Sequence, residues 1–173
     1  MKPTILLTSI FVFVTILTLA SGMSAQSFIW VPLGQEGKHA GYSRVIGGQL
    51  NDGTPLPVCR ADINTYRVPG KYYDRVCMMP WHGKEIQNGQ NIEVFMAKSG
   101  YNWKSVHDLS KSQIEKGAVF AAPGSGEGNE YICRRTLKDG VHPGKYAIGN
   151  GFCYVSWAGK EYHFGDGFEI MFP

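Results

Sequence analysis

No run of basic residues, no Cys-x-x-Cys pair and no Asn-x-Ser/Thr sequon occurs in this chain. Each absence excludes something. Without a basic run, and with a net charge of only +3, the chain lacks the electrostatic footprint of a nucleic-acid-binding protein. Without Cys-x-x-Cys, and with no histidine at ligand spacing from another, a structural zinc site is not expected. Without a sequon, N-glycosylation is not expected. Apolar runs are also scarce. Beyond Leu19 no stretch is apolar enough to span a bilayer, so no membrane span is expected.

The exception is the N-terminus. Lys2 precedes an apolar run, Ile5 to Leu19, followed by the small residues Ala20, Ser21, Gly22, Ser24 and Ala25. That order of positive, apolar and small residues is a secretory signal, with cleavage expected between Gly22 and Gln26. The run carries Thr8, Ser9, Thr15 and Thr18, and no basic stop follows it, which argues against an uncleaved anchor. Residues 1–25 are therefore read as a signal peptide and the protein as secreted and extracellular.

What the chain has in abundance is glycine, 22 residues, and aromatics at 13%. Both favour short strands joined by tight turns. They are organised by an internal repeat. VCRADINTYRVPGKY (Val58 to Tyr72) aligns without gaps to ICRRTLKDGVHPGKY (Ile132 to Tyr146). CMMPWHGKE (Cys77 to Glu85) aligns to CYVSWAGKE (Cys153 to Glu161), with two extra residues before the second copy. NIEVFM aligns to GFEIMF, and more loosely Trp30 to Trp103 and VIGG to VFAA. The first repeat covers 26–97 and the second 98–173. A β unit of about 70 residues buries little core alone. The expected fold is thus all-β: two tandem β-rich repeats sharing a core with approximate two-fold symmetry. Ser105 to Glu115 reads equally well as a short helix or a loop.

Four cysteines sit at equivalent places, Cys59 and Cys77 in one repeat, Cys133 and Cys153 in the other. Each pair lies on strands that a hairpin makes neighbours. In an exported protein this favours two disulfides within the repeats, with four buried thiols as the alternative and three pairings open in principle.

Catalytic patterns are lacking. The five histidines form no Ser/His/Asp or Cys/His arrangement, and Ser125 is not in a nucleophile-elbow context. Gly124 to Gly128 precedes a strand rather than a helix, so it lacks the amide cradle of a phosphate loop. No enzymatic activity, cofactor or metal is expected. The candidate chemistry lies in Pro69-Gly70-Lys71 and Pro143-Gly144-Lys145. Read as turns, they present a lysine ammonium beside Tyr72, Tyr73 and Tyr146, a pairing suited to a polyhydroxylated ligand. A solvated turn lysine is the plain alternative. In Trp-x-Gly-Lys-Glu, the tryptophans read as core and Glu85 and Glu161 as structural acceptors.

The ordered set Val/Ile-Cys-Arg, Pro-Gly-Lys, Trp-x-Gly-Lys-Glu and a Glu-containing last strand, present twice, resembles the DM-nine repeat family. Paired repeats of this kind occur in invertebrate mannose-binding lectins and pathogen-responsive proteins. The resemblance implies a secreted carbohydrate-binding protein, lectin-like and mannose-type, acting in innate recognition with glycans as partners. A non-catalytic scaffold for protein interaction is the alternative. In the family's lectins the Pro-Gly-Lys lysine holds the sugar, which maps to Lys71 and Lys145. The usual acidic partner falls on Leu50 and about Gly124, so Asp52 and Glu127 are the nearest carboxylates, with Tyr72 and Tyr146 as stacking faces. Single-sugar sites are weak, so two sites or a homodimer would supply avidity.

Overall fold

The computed structural model describes residues 27–98 and 100–173. The expected signal peptide lies outside these residues. The strands run β1 (Phe28–Pro32), β2 (Ser43–Arg44), β3 (Ile46–Leu50), β4 (Pro55–Ile63), β5 (Tyr66–Tyr73), β6 (Val76–Trp81), β7 (Lys84–Asn88) and β8 (Glu93–Ala97) in the first repeat. In the second they are β9 (Asn102–Ser105), β10 (Phe120–Pro123), β11 (Asn129–Leu137), β12 (Gly140–Ala147), β13 (Phe152–Trp157), β14 (Lys160–Phe164) and β15 (Glu169–Phe172). The protein is all-β, as the short alternating runs and turn residues imply.

The segment left open in sequence contains a helix, α1 (Lys111–Gly117). Ser110 caps it: its hydroxyl accepts from the Gln113 amide, and the Gln113 side chain accepts from the Ser110 amide. This capping box, with Ile114 buried beneath, is what tips a short polar segment into a helical turn.

Strand order explains how the repeats join. The path runs β4-β5-β6-β7-β14-β13-β12, and β3 pairs with β4 on one side and β12 on the other. The path therefore closes on itself as a β-barrel. β7 meets β14 at Lys84 and Lys160, while β3 meets β12 at Leu50 and Gly140. Each junction thus joins one repeat to the other. One core cluster draws Val45, Val58 and Phe95 from the first repeat and Val119, Ala121, Ile132 and Met171 from the second. A core shared in this way meets the requirement that neither repeat could bury enough apolar surface alone.

Two disulfides lie within the repeats, Cys59–Cys77 and Cys133–Cys153, all four cysteines fully buried. The last strand of each repeat is fixed by a matching device. Arg60 donates to Glu93 at 2.6 Å and lies over the Trp30 ring. Arg134 donates to Glu169 at 2.7 Å and lies over Trp103.

The Pro-Gly-Lys segments depart from their sequence reading. They are not turns but the middle of β5 and β12. Proline is tolerated there because it needs no ladder donor at that position. The glycine serves close approach, not a positive φ. A Cβ on Gly70 would meet the Met78 carbonyl oxygen at 2.1 Å, and one on Gly144 the Tyr154 carbonyl oxygen at 2.0 Å. Consequently Lys71 and Lys145 are buried, each 4% exposed, rather than displayed to solvent.

Candidate functional site

Strand register builds two lysine-centred cavities. On β5, Lys71 stands opposite Val58 of β4 and Met78 of β6. On β12, Lys145 stands opposite Ile132 of β11 and Tyr154 of β13. Directly opposed residues share a face of the sheet, so these are the lysines' immediate neighbours. The next residue on each strand faces away. That alternation moves Tyr72 and Tyr146 out of the sites. Tyr72 packs on the first-repeat core under the Arg44 guanidinium, and Tyr146 stacks on Phe168, 5.5 Å away, in the second-repeat core. Neither tyrosine offers a face to a ligand at the lysine.

Each cavity is completed by a hairpin from the other repeat. Trp81-His82-Gly83 links β6 to β7, and Trp157-Ala158-Gly159 links β13 to β14. His82 and Ala158 hold φ of 47° and 50° and the following glycines 79° and 80°, the geometry of a tight hairpin turn. The hairpins cross. Glu85 accepts from the Gly159 amide at 3.3 Å, and Glu161 from the Gly83 amide at 2.5 Å. Both glutamates act as the structural acceptors that the sequence pattern implies, but across the repeats.

The cavity at Lys71, about 230 Å³, is lined by Leu50, Leu56, Tyr73, Met78, Trp157 and Ala158 together with polar groups that are already paired. Lys71 Nζ donates to Glu85 at 2.9 Å, to the Ser156 carbonyl, and to the Ser156 hydroxyl at 3.4 Å. All three ammonium donors are engaged. Burial pushes the Lys71 pKa down, opposed by Glu85. Beside it, Asp139 accepts from Trp157 Nε1 at 2.7 Å and meets His142 Nε2 at 2.9 Å. Burial and the nearby Lys71 push His142 down, with Asp139 opposing; its Nδ1 is buried without a partner. Burial raises the Asp139 carboxyl, but its bonds from Trp157 and His142 outweigh that and hold it below its usual value.

The cavity at Lys145, about 130 Å³, is lined by Trp81, His82, Ser125, Glu127, Lys145, Tyr154 and Glu161. Lys145 Nζ donates to Glu130 at 3.0 Å and lies 5.1 Å from the Trp81 ring and 5.6 Å from the Tyr154 ring. Among the described residues it has no second hydrogen-bond acceptor, so donor capacity remains. Burial pushes the Glu130 carboxyl up; Lys145 opposes this, and Glu127 and Glu161 add to it.

Of the expected site residues, Lys145 and Glu127 line one cavity and Lys71 the other. Asp52 lines neither. It is exposed in a turn, its carboxylate accepting from the Thr54 amide at 2.9 Å. Sequence reasoning missed Glu130, Trp81, Tyr154, His82 and Ser125. The aligned repeats did hold a signal: Glu130 falls opposite Leu56, Tyr154 opposite Met78, and Pro80 opposite Ser156. The last pair removes from Lys145 the hydroxyl that Lys71 uses.

Among the described residues no group of three or more His, Cys, Asp or Glu could hold a metal ion, and no helix is long and apolar enough to cross a membrane. A family model, the DM9 repeat, matches residues 51–164. No curated protein matches the chain. Among solved structures, the crystal structure of the nematode sperm cell motility protein MFP2B is similar, with a TM-score of 0.58 and 14% sequence identity. The similarity covers 83% of this chain and 42% of that one, and it concerns the fold.

Proposed function

The chain belongs to the DM9 repeat family, and from that premise we propose that it is a secreted, non-catalytic carbohydrate-binding protein whose principal site is the Lys145 cavity. The observation that carries this reading is the state of Lys145: buried, oriented by Glu130, and still able to donate. A buried ammonium with unused donors is costly unless something accepts from it. Sugar hydroxyls are suitable acceptors, and the Trp81 and Tyr154 rings beside the ammonium supply the apolar surface on which a pyranose face packs. Ser125, Glu127 and Glu161 surround the opening with further hydroxyl partners. The rigid strand position of Lys145 limits the entropy lost on binding.

In this reading the Lys71 cavity is a structural counterpart rather than a second equivalent site, because its ammonium is saturated. One small site per chain gives weak affinity, so a homodimer supplies the avidity for a glycan-coated surface. Export is read from the N-terminal pattern of Lys2, the apolar run and the small residues after it, and two disulfides are compatible with it.

The test is binding to a broad glycan array and to soluble mannan, for the native chain and for Lys145→Met/Glu130→Leu. The double change removes the buried pair together and installs at 130 the residue type that stands at 56. Replacing such a pair by apolar residues of similar volume is often neutral for stability. The expected result is retained unfolding midpoint and loss of glycan binding. Binding unchanged in the double variant would remove the site assignment. No binding by the native chain would leave the protein-interaction scaffold in its place.

A further inference from the structure

The charges around the Lys145 cavity do not balance. Lys145 and Glu130 are a buried pair, their side chains 5% and 3% exposed, and neutralise each other. What remains toward the opening is acidic. Glu127 is exposed, and its carboxylate has no hydrogen-bond partner among the described residues. Glu161 is half-buried, with one oxygen on the Gly83 amide and the other uncommitted. The two carboxylates reach the interior electrostatically: both push the Glu130 carboxyl up, and both add to burial in pushing the Tyr154 hydroxyl up. Among the described residues no arginine or second lysine lines the cavity. In the Lys71 cavity the carboxylates are committed instead, Glu85 to Lys71 and Asp139 to His142 and Trp157.

We propose that the ligand of the Lys145 cavity is an amino sugar with a free, protonated amine, a de-N-acetylated hexosamine unit. This rests on the carbohydrate-binding reading above and narrows it. The sugar's hydroxyls accept from Lys145. Its ammonium donates to Glu127 and Glu161, and its ring lies against Trp81. A cation set between carboxylates and aromatic rings is favoured by both. A uronate or sulfated sugar meets two uncompensated carboxylates instead and is rejected by like charge.

Isothermal titration of the full chain with four soluble oligosaccharides tests this: glucosamine oligomers, their N-acetylated counterparts, mannose oligomers and galacturonate oligomers. Glucosamine oligomers are expected to bind about fivefold or more tightly than the N-acetylated and mannose oligomers at low salt, since two ion pairs, one exposed and one partly exposed, each contribute modestly. The preference shrinks as salt rises. Galacturonate is expected not to bind. Glu127→Gln/Glu161→Gln should bring the ratio of amine to N-acetyl affinity toward one, and Tyr154→Met should weaken every bound sugar together. The chain's positive net charge disfavours indiscriminate capture of a polycation. If neutral sugars bind but the amine confers no gain, or if the gain survives the double glutamine variant, the amino-sugar assignment is overturned and the lectin reading stands. If none of the four binds, both fall.

Discussion

Lys71 and Lys145 hold the same position on the same strand of two aligned repeats, and both are buried beside a glutamate. Around Lys71 the opposite repeat contributes Ser156, whose carbonyl and hydroxyl take the remaining donors, and Asp139 and His142 fill the wall behind. In the aligned first repeat the place of Ser156 is held by Pro80, which has no hydroxyl, and beside Lys145 Tyr154 stands where Lys71 has Met78. One repeat keeps the lysine for holding the barrel together. The other leaves it with donors facing a cavity. The sequence holds two copies of a buried ammonium, and a few differences among the neighbours decide which copy keeps unused donors.

The largest expected effect follows from saturation at Lys71. Lys71→Ala leaves Glu85 buried and without its cation, a loss of about 3–5 kcal/mol of the kind seen when one partner of a buried pair is removed. Lys145→Ala should cost less. Its ammonium holds one hydrogen bond, where that of Lys71 holds three and ties β5 to the opposite repeat. Urea unfolding of the two variants measures the difference. Equal losses would mean that the two lysines have the same structural weight, and the comparison would collapse.

A second test converts one cavity toward the other. Tyr154→Met gives the Lys145 site the neighbour that Lys71 has. Loss of an aromatic contact is worth about 0.5–1.5 kcal/mol, so glycan affinity should fall roughly two- to tenfold. The reciprocal Met78→Tyr should not create binding, because Lys71 would still be engaged with Glu85 and Ser156. Gain of binding in that variant would place the distinction in the aromatic residue and not in the state of the lysine.

The third concerns acid. His142 is buried beside Lys71, and its folded pKa lies below its ordinary 6.5. A group with a depressed folded pKa contributes stability that is fully present above its unfolded value and is lost as pH falls through the folded one. The thermal midpoint should therefore decline as pH drops below about 6.5, before the Asp139 carboxyl, held below its ordinary 3.8, begins to titrate. Glu85 and Asp139 oppose the effect, and Lys71 reinforces it. His142→Asn should flatten the decline in the upper part of this window. An unchanged profile would show that the acid sensitivity arises elsewhere.

These differences explain what was legible in the sequence. The repeat, the all-β class and both disulfides followed from alignment of Cys59 with Cys133 and Cys77 with Cys153, because such features depend on residue types at equivalent places. Lys71, Lys145 and Glu127 do line cavities, but the setting of the lysines did not follow. Pro-Gly-Lys reads as a turn by propensity, yet the close approach of β5 to β6 and of β12 to β13 demands the glycine within a strand. Once the lysine is on a strand, the adjacent tyrosine must face away, and the partner is the residue across the ladder. Register chose Tyr154 for Lys145, and the sheet path chose which hairpin covers it. Neither is encoded in the spacing of a single motif.

The smallest expected effect separates the two carboxylates that sequence reasoning treated alike. Asp52 and Glu127 both lie a few residues beyond Leu50 and Gly124, the positions where the family resemblance implies an acidic partner. Asn51, beside Asp52, is fastened instead to the turn between β11 and β12: its amide donates to the Asp139 carbonyl at 2.8 Å and its side chain to the Lys138 carbonyl at 3.1 Å. Asp52 itself closes a local turn onto Thr54, which holds its carboxyl below the usual range through that backbone hydrogen bond. The Glu127 carboxylate lines the Lys145 cavity with no hydrogen-bond partner among the described residues. Asp52→Ala should therefore leave glycan binding unaltered and lower the unfolding midpoint only slightly, through loss of the turn. Glu127→Ala should leave the midpoint alone and weaken binding. Surface plasmon resonance on an immobilised glycan, with a thermal melt of each variant, reads both quantities. Weaker binding in Asp52→Ala would mean that the Lys71 side of the barrel also receives ligand, and the division of labour between the two lysines would have to be abandoned.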